Sequence, residues 1–274
     1  MKKHFITVMV FLATTTAVFA QKRHRNPPNQ PVAPTDSATL VNKALQSAAA
    51  NNTPEEPKKK KTWDLSKRAA DHFMFQLGYD NWAGAPDSIH IRGFNRSANF
   101  YFMFDFPFKT DQRLSIGAGL GIGSSNIFFH QQEVMVAAYT NTTLAFPDEQ
   151  GGNHYKKFKL VTTYLEAPVE LRFALDPEHM DKSWKFAVGT KIGIMLSAYT
   201  KGKNLQNGVG QTIGNYIQKE SSKQFFNTPK LAGTFRVSKG VIGVFGQFQV
   251  NSLIKTSAGP SVFPFSGGIT LSGL

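Results

Sequence analysis

The chain has 274 residues, a formal net charge of +13 and no cysteine. Disulfides, thiolate metal sites and a cysteine-linked lipid anchor are therefore not expected. The length suits one domain of about 200 residues with an additional tail. The positive charge favours anionic neighbours, and lipid phosphates are favoured over nucleic acid because basic and aromatic residues are not interleaved in any nucleic-acid-binding module.

The first 20 residues predict a cleaved signal peptide. Two lysines precede an apolar run from Phe5 to Leu12, and the accepted residues Val18 and Ala20 stand at the positions that signal peptidase reads. The apolar run is shorter than the roughly 20 residues that a membrane-spanning helix requires. We therefore expect export of a mature chain that begins at Gln21.

Residues 21–70 are rich in proline and basic residues and low in complexity. Such a segment buries too little apolar surface to offset its ordering entropy, so we predict a disordered, basic periplasmic tail. A lysine run near its end indicates equally a binding segment for anionic headgroups or a partner protein and a solvated, extended linker. These candidate binding residues are Lys58, Lys59, Lys60, Lys61 and Trp63.

Residues 71–274 alternate apolar and polar side chains with a period of two. In one segment the phenylalanines from Phe100 to Phe108 share one face, and the other face includes Tyr101 and Asp105. Eight segments of about 8 to 15 residues repeat this pattern, which is typical of strands. A tilted strand of 9–11 residues is long enough to cross a bilayer.

The sequence therefore predicts an all-β fold, an eight-stranded antiparallel up-and-down transmembrane β-barrel over residues 71–274. Only helices and closed barrels satisfy their backbone in lipid. The connections within 81–97, 124–157 and 200–227 are long, and those that alternate with them are short. Short periplasmic turns and long external loops are typical of outer-membrane barrels, so we expect both termini in the periplasm.

The third predicted strand, "LSIGAGLGIGSS", contains a regular series of glycines. Their spacing of two does not match the G-x-G-x-x-G pattern of a nucleotide loop, and no Gly-Lys-Ser/Thr follows. In a secreted β-sandwich, the alternative fold, such glycines would only weaken the solvent side of the strand. In a narrow barrel they make room for side chains in the lumen. The predicted lumen wall of small residues is Gly117, Gly119, Gly121 and Gly123.

Several segments resemble the PorT-like outer-membrane β-barrel proteins of Bacteroidota. They are "GFNRSANFYFMFDFPF", the glycine-alternating strand, "TYLEAPVELRF" and "KFAVGTKIGIML". The resemblance covers residues 71–274 approximately, and the run from Tyr164 to Pro168 is its most distinctive part. It implies an outer-membrane barrel and a link to secretion machinery. The chain departs from the usual barrel ending because it finishes "LSGL", without a terminal aromatic residue.

Charged residues on the small-residue face are predicted to lie in the lumen. An antiparallel turn near residues 177–179 would place Glu166 opposite Lys191 and make Glu170 and Lys185 diagonal neighbours. A compensating ion network that fills the barrel is the favoured interpretation, and a polar path for ions or small solutes is the alternative. The predicted lumen charges are Glu166, Glu170, Arg172, Lys185, Lys191 and Arg236.

No catalytic, cofactor or metal site is predicted, because no histidine has ligand spacing to another histidine or to a carboxylate. A lipid-modifying enzyme is the least favoured hypothesis, and its candidate residues would be His130 with Ser124, Ser125 and Glu133. The sequence favours a non-enzymatic structural or accessory protein of the envelope or of a secretion apparatus. A narrow porin-like channel is the second hypothesis. Expected partners are outer-membrane lipid and another envelope protein, bound through the long loops or the tail.

Overall fold

The computed structural model describes residues 72–137, 141–149 and 151–272, together with Gln46. The predicted signal peptide and the basic tail, with Lys58–Lys61 and Trp63, lie outside the described residues and stay predictions. No helix among the described residues is long and apolar enough to span a membrane.

The described residues form nine β-strands. Their bounds are β1 Phe73–Ala83, β2 Arg96–Pro107, β3 Leu114–Phe129, β4 His154–Ala174, β5 Trp184–Gln206, β6 Thr212–Ser221, β7 Pro229–Lys239, β8 Ile242–Gln249 and β9 Phe263–Ser272. Each strand except β6 pairs antiparallel with two neighbours along the order β1-β2-β3-β4-β5-β7-β8-β9. The sheet closes because β9 also pairs antiparallel with β1, from Met74–Ser272 to Ala83–Phe263. The predicted eight-stranded antiparallel barrel is confirmed.

The ninth strand, β6, was expected to be part of a loop over residues 200–227. Strand β5 instead continues to Gln206, and β6 returns beside it to form a hairpin that extends beyond the barrel. Every residue of β6 is at least partly exposed, so neither face carries the half-buried alternation by which a strand is recognised from sequence.

Bulky apolar side chains cover the outside of the barrel wall. On β2, Phe104 is 49% exposed and faces outward, whereas its neighbour Met103 is fully buried inside. Equivalent outward residues run from Leu165 to Phe173 on β4 and from Trp184 to Leu196 on β5. We call this outward surface the apolar belt. An apolar exterior around a polar interior is typical of a transmembrane barrel.

The two ends of the barrel differ. At one end, which we call the turn end, the strands are joined by the short connections 108–113, 175–183 and 240–241. At the other end, the loop end, the longer connections fold over the barrel mouth. A buried apolar cluster, the loop-end core, lies beneath them and includes Trp82, Phe129, Phe158, Phe226 and Ile254.

Candidate functional site

The barrel interior holds two clusters of buried charges. In the cluster nearer the turn end, Glu170 Oε2 accepts hydrogen bonds from Arg236 Nη2 at 2.7 Å and from Arg172 Nε at 3.1 Å. Arg172 Nη1 also lies 3.6 Å from Asp105 Oδ1. Two guanidinium groups therefore compensate Glu170, which is 2% exposed.

The second cluster is centred on Glu166 and Tyr101. Lys230 Nζ donates to Glu166 Oε1 at 2.7 Å, and the Tyr101 hydroxyl donates to Glu166 Oε2. Lys191 Nζ donates to Tyr101 Oη and to Gln76 Oε1, each at 3.0 Å, and to a further glutamine. All donors of the Lys191 ammonium are thus used inside the barrel, as a buried cation requires.

The six predicted lumen charges are all buried within the barrel. The predicted register is wrong, because Glu166 lies opposite Gly193 and Lys191 lies opposite Pro168. Lys185 lies opposite Ala174 near the turn end, away from Glu170. The physical reason is the turn, in which the Leu175 amide donates to Trp184 O at 3.0 Å. This closure sets each residue of β4 opposite a residue of β5 that is two positions further along the chain than predicted.

Sequence reasoning missed several members of this network, among them Lys230 and Tyr101. Lys230 lies on β7, and its partner Glu166 comes from β4, which is not a neighbour of β7. Tyr101 is a bulky aromatic residue on a face of small and polar side chains, and that contrast was the available signal.

The glycines of β3 provide the space that these side chains occupy. A Cβ atom at Gly123 would lie 2.7 Å from Glu166 Oε1, and one at Gly117 would collide with the Arg172 guanidinium. At Gly121 an added Cβ would lie 2.6 Å from Tyr101 Cα. The glycine series and the buried charges are therefore two parts of one packing arrangement across the interior.

Two cavities beside the network are small. A cavity of about 20 Å³ lies between Asp80, Thr162 and Lys230, and another of about 10 Å³ lies beside Arg172 and Lys185. A water molecule needs roughly 10–15 Å³ of such volume. Each of these two cavities therefore has room for about one water molecule, and neither is wide enough for a solute to pass.

The proposed residues of a lipid-modifying enzyme are dispersed. Ser124 and Ser125 are consecutive in β3 and point to opposite faces of the sheet. His130 is exposed on the following loop, and Glu133 is half-buried on the same loop. In the part of the chain that the structure describes, no hydrogen bond joins these four side chains, so they do not assemble a nucleophile with a base.

The turn end carries a small group of potential metal ligands. Atoms of Asp176, Glu178 and His179 lie within 4.8 Å of one another. His179 Nδ1 is 3.1 Å from Asp176 Oδ2; the His179 side chain is exposed and the Asp176 side chain is partly exposed. The Glu178 amide also donates to Asp176 Oδ1 at 3.0 Å, so Asp176 binds both of these neighbours within the turn.

A pocket of about 320 Å³ lies at the loop end, between the loop after β3 and the β5–β6 hairpin. Its lining includes Glu133, Tyr155, Gln218 and Glu220. Tyr155 Oη donates to Gln218 Oε1 at 2.5 Å. Burial, together with the nearby carboxylates of Glu149 and Glu220, raises the pKa of Glu133. The hairpin and the loop thus pack through a partly acidic contact.

Comparison with known proteins defines the class. Residues 69–251 match the family model described as outer membrane protein beta-barrel domain. Because this match covers more than half of the chain, the chain belongs to that family, and it is an outer-membrane β-barrel protein.

Similarity to individual proteins is weaker. A crystal structure of Ail, the attachment invasion locus protein of Yersinia pestis, in complex with the heparin analogue sucrose octasulfate, is similar with a TM-score of 0.30 and 9% identity. The similarity covers 73% of this chain and 96% of that one. The comparison with curated proteins finds no match.

Proposed function

We propose that the chain is a non-enzymatic barrel with a closed lumen that serves as a structural or accessory component of the envelope or of a secretion apparatus. The observation that carries this proposal is the filled interior, where Glu166, Glu170 and their cationic partners occupy the space that a solute would need. The resemblance to PorT-like proteins of Bacteroidota supports the link to secretion.

The narrow-channel alternative is disfavoured by how the interior charges are held. Conduction requires sites that bind an ion and release it again. Lys191 and Glu166 instead have their donors and acceptors satisfied by fixed protein partners. The loop-end core adds an apolar layer above them. An ion would have to displace both layers to pass.

Single-channel recording tests the closed lumen. The full chain, refolded into planar bilayers, should give no defined conductance steps. K191Q and, as a matched exposed control at the turn end, K182Q should behave in the same way. Steps in the wild type that K191Q alters and K182Q leaves unchanged would establish a pore through the interior and overturn the proposal.

The enzyme alternative is tested through the lipid. Overexpression of the full chain should leave the masses of the outer-membrane lipids unchanged. A new lipid mass that disappears in the S125A variant would overturn the non-enzymatic assignment.

We also propose that the loop end faces outward, with both termini in the periplasm, because long loops and short turns are distributed in this way in outer-membrane barrels. A partner protein would then meet the loops within 81–97, 124–157 and 200–227, or the tail. Residues Lys58–Lys61 and Trp63 of that tail would contact anionic headgroups of the inner leaflet.

Crosslinking in intact envelopes, followed by detergent extraction and mass spectrometry, tests the accessory role. A defined envelope protein should crosslink to the full chain. If the crosslink is lost when residues 21–70 are deleted, the partner binds the tail. If the crosslink is retained, the partner binds the loops. An intact barrel that crosslinks to no envelope protein would contradict an accessory role.

A further inference from the structure

Three lysines lie side by side across the outer surface of the sheet at the loop end. Lys159 on β4 pairs directly with Lys201 on β5, and Lys201 pairs directly with Lys219 on β6. Residues directly opposite each other in a ladder lie on one face with Cβ atoms about 5 Å apart, and like charges in such positions destabilise the sheet. The arrangement therefore has an electrostatic cost in the isolated chain.

The same face carries further cations. Lys157 pairs with Lys203, two residues nearer the loop end than the Lys159–Lys201 pair. Arg96, on β2, lines the same cleft. Together these residues line an open cleft of about 500 Å³. We call it the cationic cleft and define it by Arg96, Lys157, Lys159, Lys201 and Lys203.

The cations of the cleft have no anionic partner among the described residues. Lys159 Nζ donates to Asn126 Oδ1 at 2.7 Å and lies 5.6 Å from the centre of the Phe128 ring. The Arg96 guanidinium lies over the rings of Phe94 and Phe128, at 4.9 and 5.7 Å. Aromatic faces and one amide hold these side chains in place, and they leave the positive charge uncompensated.

The cleft lies where the wall changes from apolar to polar. Its lining also includes Leu77 and Ala98, which lie opposite each other on β1 and β2 at the loop-end margin of the apolar belt. On β4, Lys159 precedes Leu165, the belt residue of that strand nearest the loop end, by six residues, which is about 20 Å along the strand. A lipid whose chains lie against the belt would therefore place its headgroup among these cations.

We propose that the cationic cleft binds the phosphate of an anionic lipid headgroup in the leaflet at the loop end. The guanidinium of Arg96 can bind a phosphate through two parallel hydrogen bonds, and the lysines act as mobile point charges around it. The phosphate would compensate the charge of the paired lysines. The apolar and aromatic lining residues Leu77, Ala98 and Phe128 would contact the part of the lipid next to its headgroup. This proposal does not depend on whether the lumen is closed.

Titration with short-chain lipids tests the site. The full chain in neutral detergent is titrated with dihexanoyl phosphatidic acid, dihexanoyl phosphatidylcholine and inorganic phosphate, and binding is followed by native mass spectrometry. Phosphatidic acid should bind in preference to the other two probes. K159Q/K201Q should weaken its binding by about 25-fold, on the basis of roughly fivefold for each basic residue near an anionic headgroup.

Two variants control for charge and folding. K109Q/K182Q removes the same charge from exposed positions at the turn end and should bind as the wild type does. K159R/K201R keeps the charge and should also retain binding. Each variant must show the shift in gel mobility on heating that folded barrels show, and raised salt should weaken binding to the wild type.

Several results would overturn the proposal. Equal binding of phosphatidic acid and phosphatidylcholine would remove the charge requirement, and equal losses in both double variants would remove the assignment to the cleft. Stronger binding of inorganic phosphate than of phosphatidic acid would make this a site for the free anion. Displacement of the lipid by a lower concentration of polyglutamate would instead indicate an acidic protein partner.

Discussion

Lys230 Nζ lies 2.7 Å from Glu166 Oε1 inside the barrel, although their strands are separated by β5. Both side chains are nearly inaccessible to solvent, with side-chain exposures of 9% and 1%. Such a pair stabilises the closed barrel only while it is complete, because either partner alone would be a buried, uncompensated charge.

Replacing Lys230 with methionine should therefore destabilise the barrel strongly. Removal of one partner of a buried pair costs about 3–5 kcal/mol, so K230M should lower the free energy of unfolding by that order. Urea unfolding in lipid vesicles, followed by tryptophan fluorescence, measures this change. The double variant E166Q/K230M should recover part of the loss, since the carboxylate that K230M leaves without its ion-pair partner is then neutral, while Lys191 keeps its hydrogen bonds to Gln76 and Tyr101.

The exposed Lys182 provides the control for this experiment. K182M should change the free energy of unfolding by less than about 0.5 kcal/mol, as surface substitutions usually do. If K230M were as stable as K182M, the ion pair would have no part in holding β4 and β7 together.

The glycines of β3 predict a different kind of sensitivity. A Cβ at Gly121 would lie 2.6 Å from Tyr101 Cα and would collide with the backbone oxygen of Phe100. Since backbone cannot move aside as a flexible side chain can, G121A should reduce stability by about 1–3 kcal/mol or more and reduce the yield of heat-modifiable barrel.

Gly233 on β7 is the matched control, because an added Cβ there would meet nothing within 4 Å. G233A should fold with the yield and unfolding midpoint of the wild type. Equal effects of the two substitutions would mean that glycine acts through strand flexibility in general, and not through the close approach at Tyr101.

The strands and their faces could be predicted because a period of two survives wherever one face meets lipid and the other meets the interior. The pairing between Glu166 and Lys230 could not, since it depends on closure of the sheet and on the turn register. Strand β6 was missed because neither of its faces is buried.

The cationic cleft also has a signal in the sequence. Lys157 and Lys159, like Lys201 and Lys203, are spaced by two residues, which places each pair on one face of a strand. What could not be foreseen is that the two pairs lie opposite each other. A register shift near Thr163 in the β4–β5 ladder adds one residue to β5, so that Lys201 and Lys203 face outward although Lys191 on the same strand faces the interior.

The loop-end pocket should respond to pH through Glu133. Its pKa is raised above the unfolded value by burial and by the carboxylates of Glu149 and Glu220. The ionised form therefore opposes packing above the raised pKa, and this penalty is relieved as the pH falls through it. Hydrogen exchange of residues 130–137, corrected for intrinsic rates, should be slower at about pH 5 than at about pH 7.

E133Q is the decisive variant for that effect. It carries no charge at either pH, so exchange in the same loop should be slow at both and lose most of its pH dependence. A pH dependence in E133Q as large as in the wild type would assign the effect to another group.

Phe226 links the loop after β6 to the loop after β8. It forms an isolated bridge with Ile254, and both side chains are fully buried in the loop-end core. F226A would remove most of that contact, and large-to-small changes of this type cost about 3–5 kcal/mol. The penalty should fall on the loops and not on the barrel, because the interior ion network and the strand ladder do not involve Phe226.

Limited trypsin digestion of the detergent-solubilised chain separates these two levels of stability. Cleavage after the exposed Lys223 and Lys255 should be faster in F226A, while the barrel keeps its heat-modifiable mobility. I213A truncates an apolar side chain that is 53% exposed on β6 and should be cleaved at the wild-type rate. Faster cleavage in both variants would indicate that surface contacts hold the loop end together. Loss of the heat-modifiable barrel in F226A would mean that the loops and the barrel wall unfold as one cooperative unit.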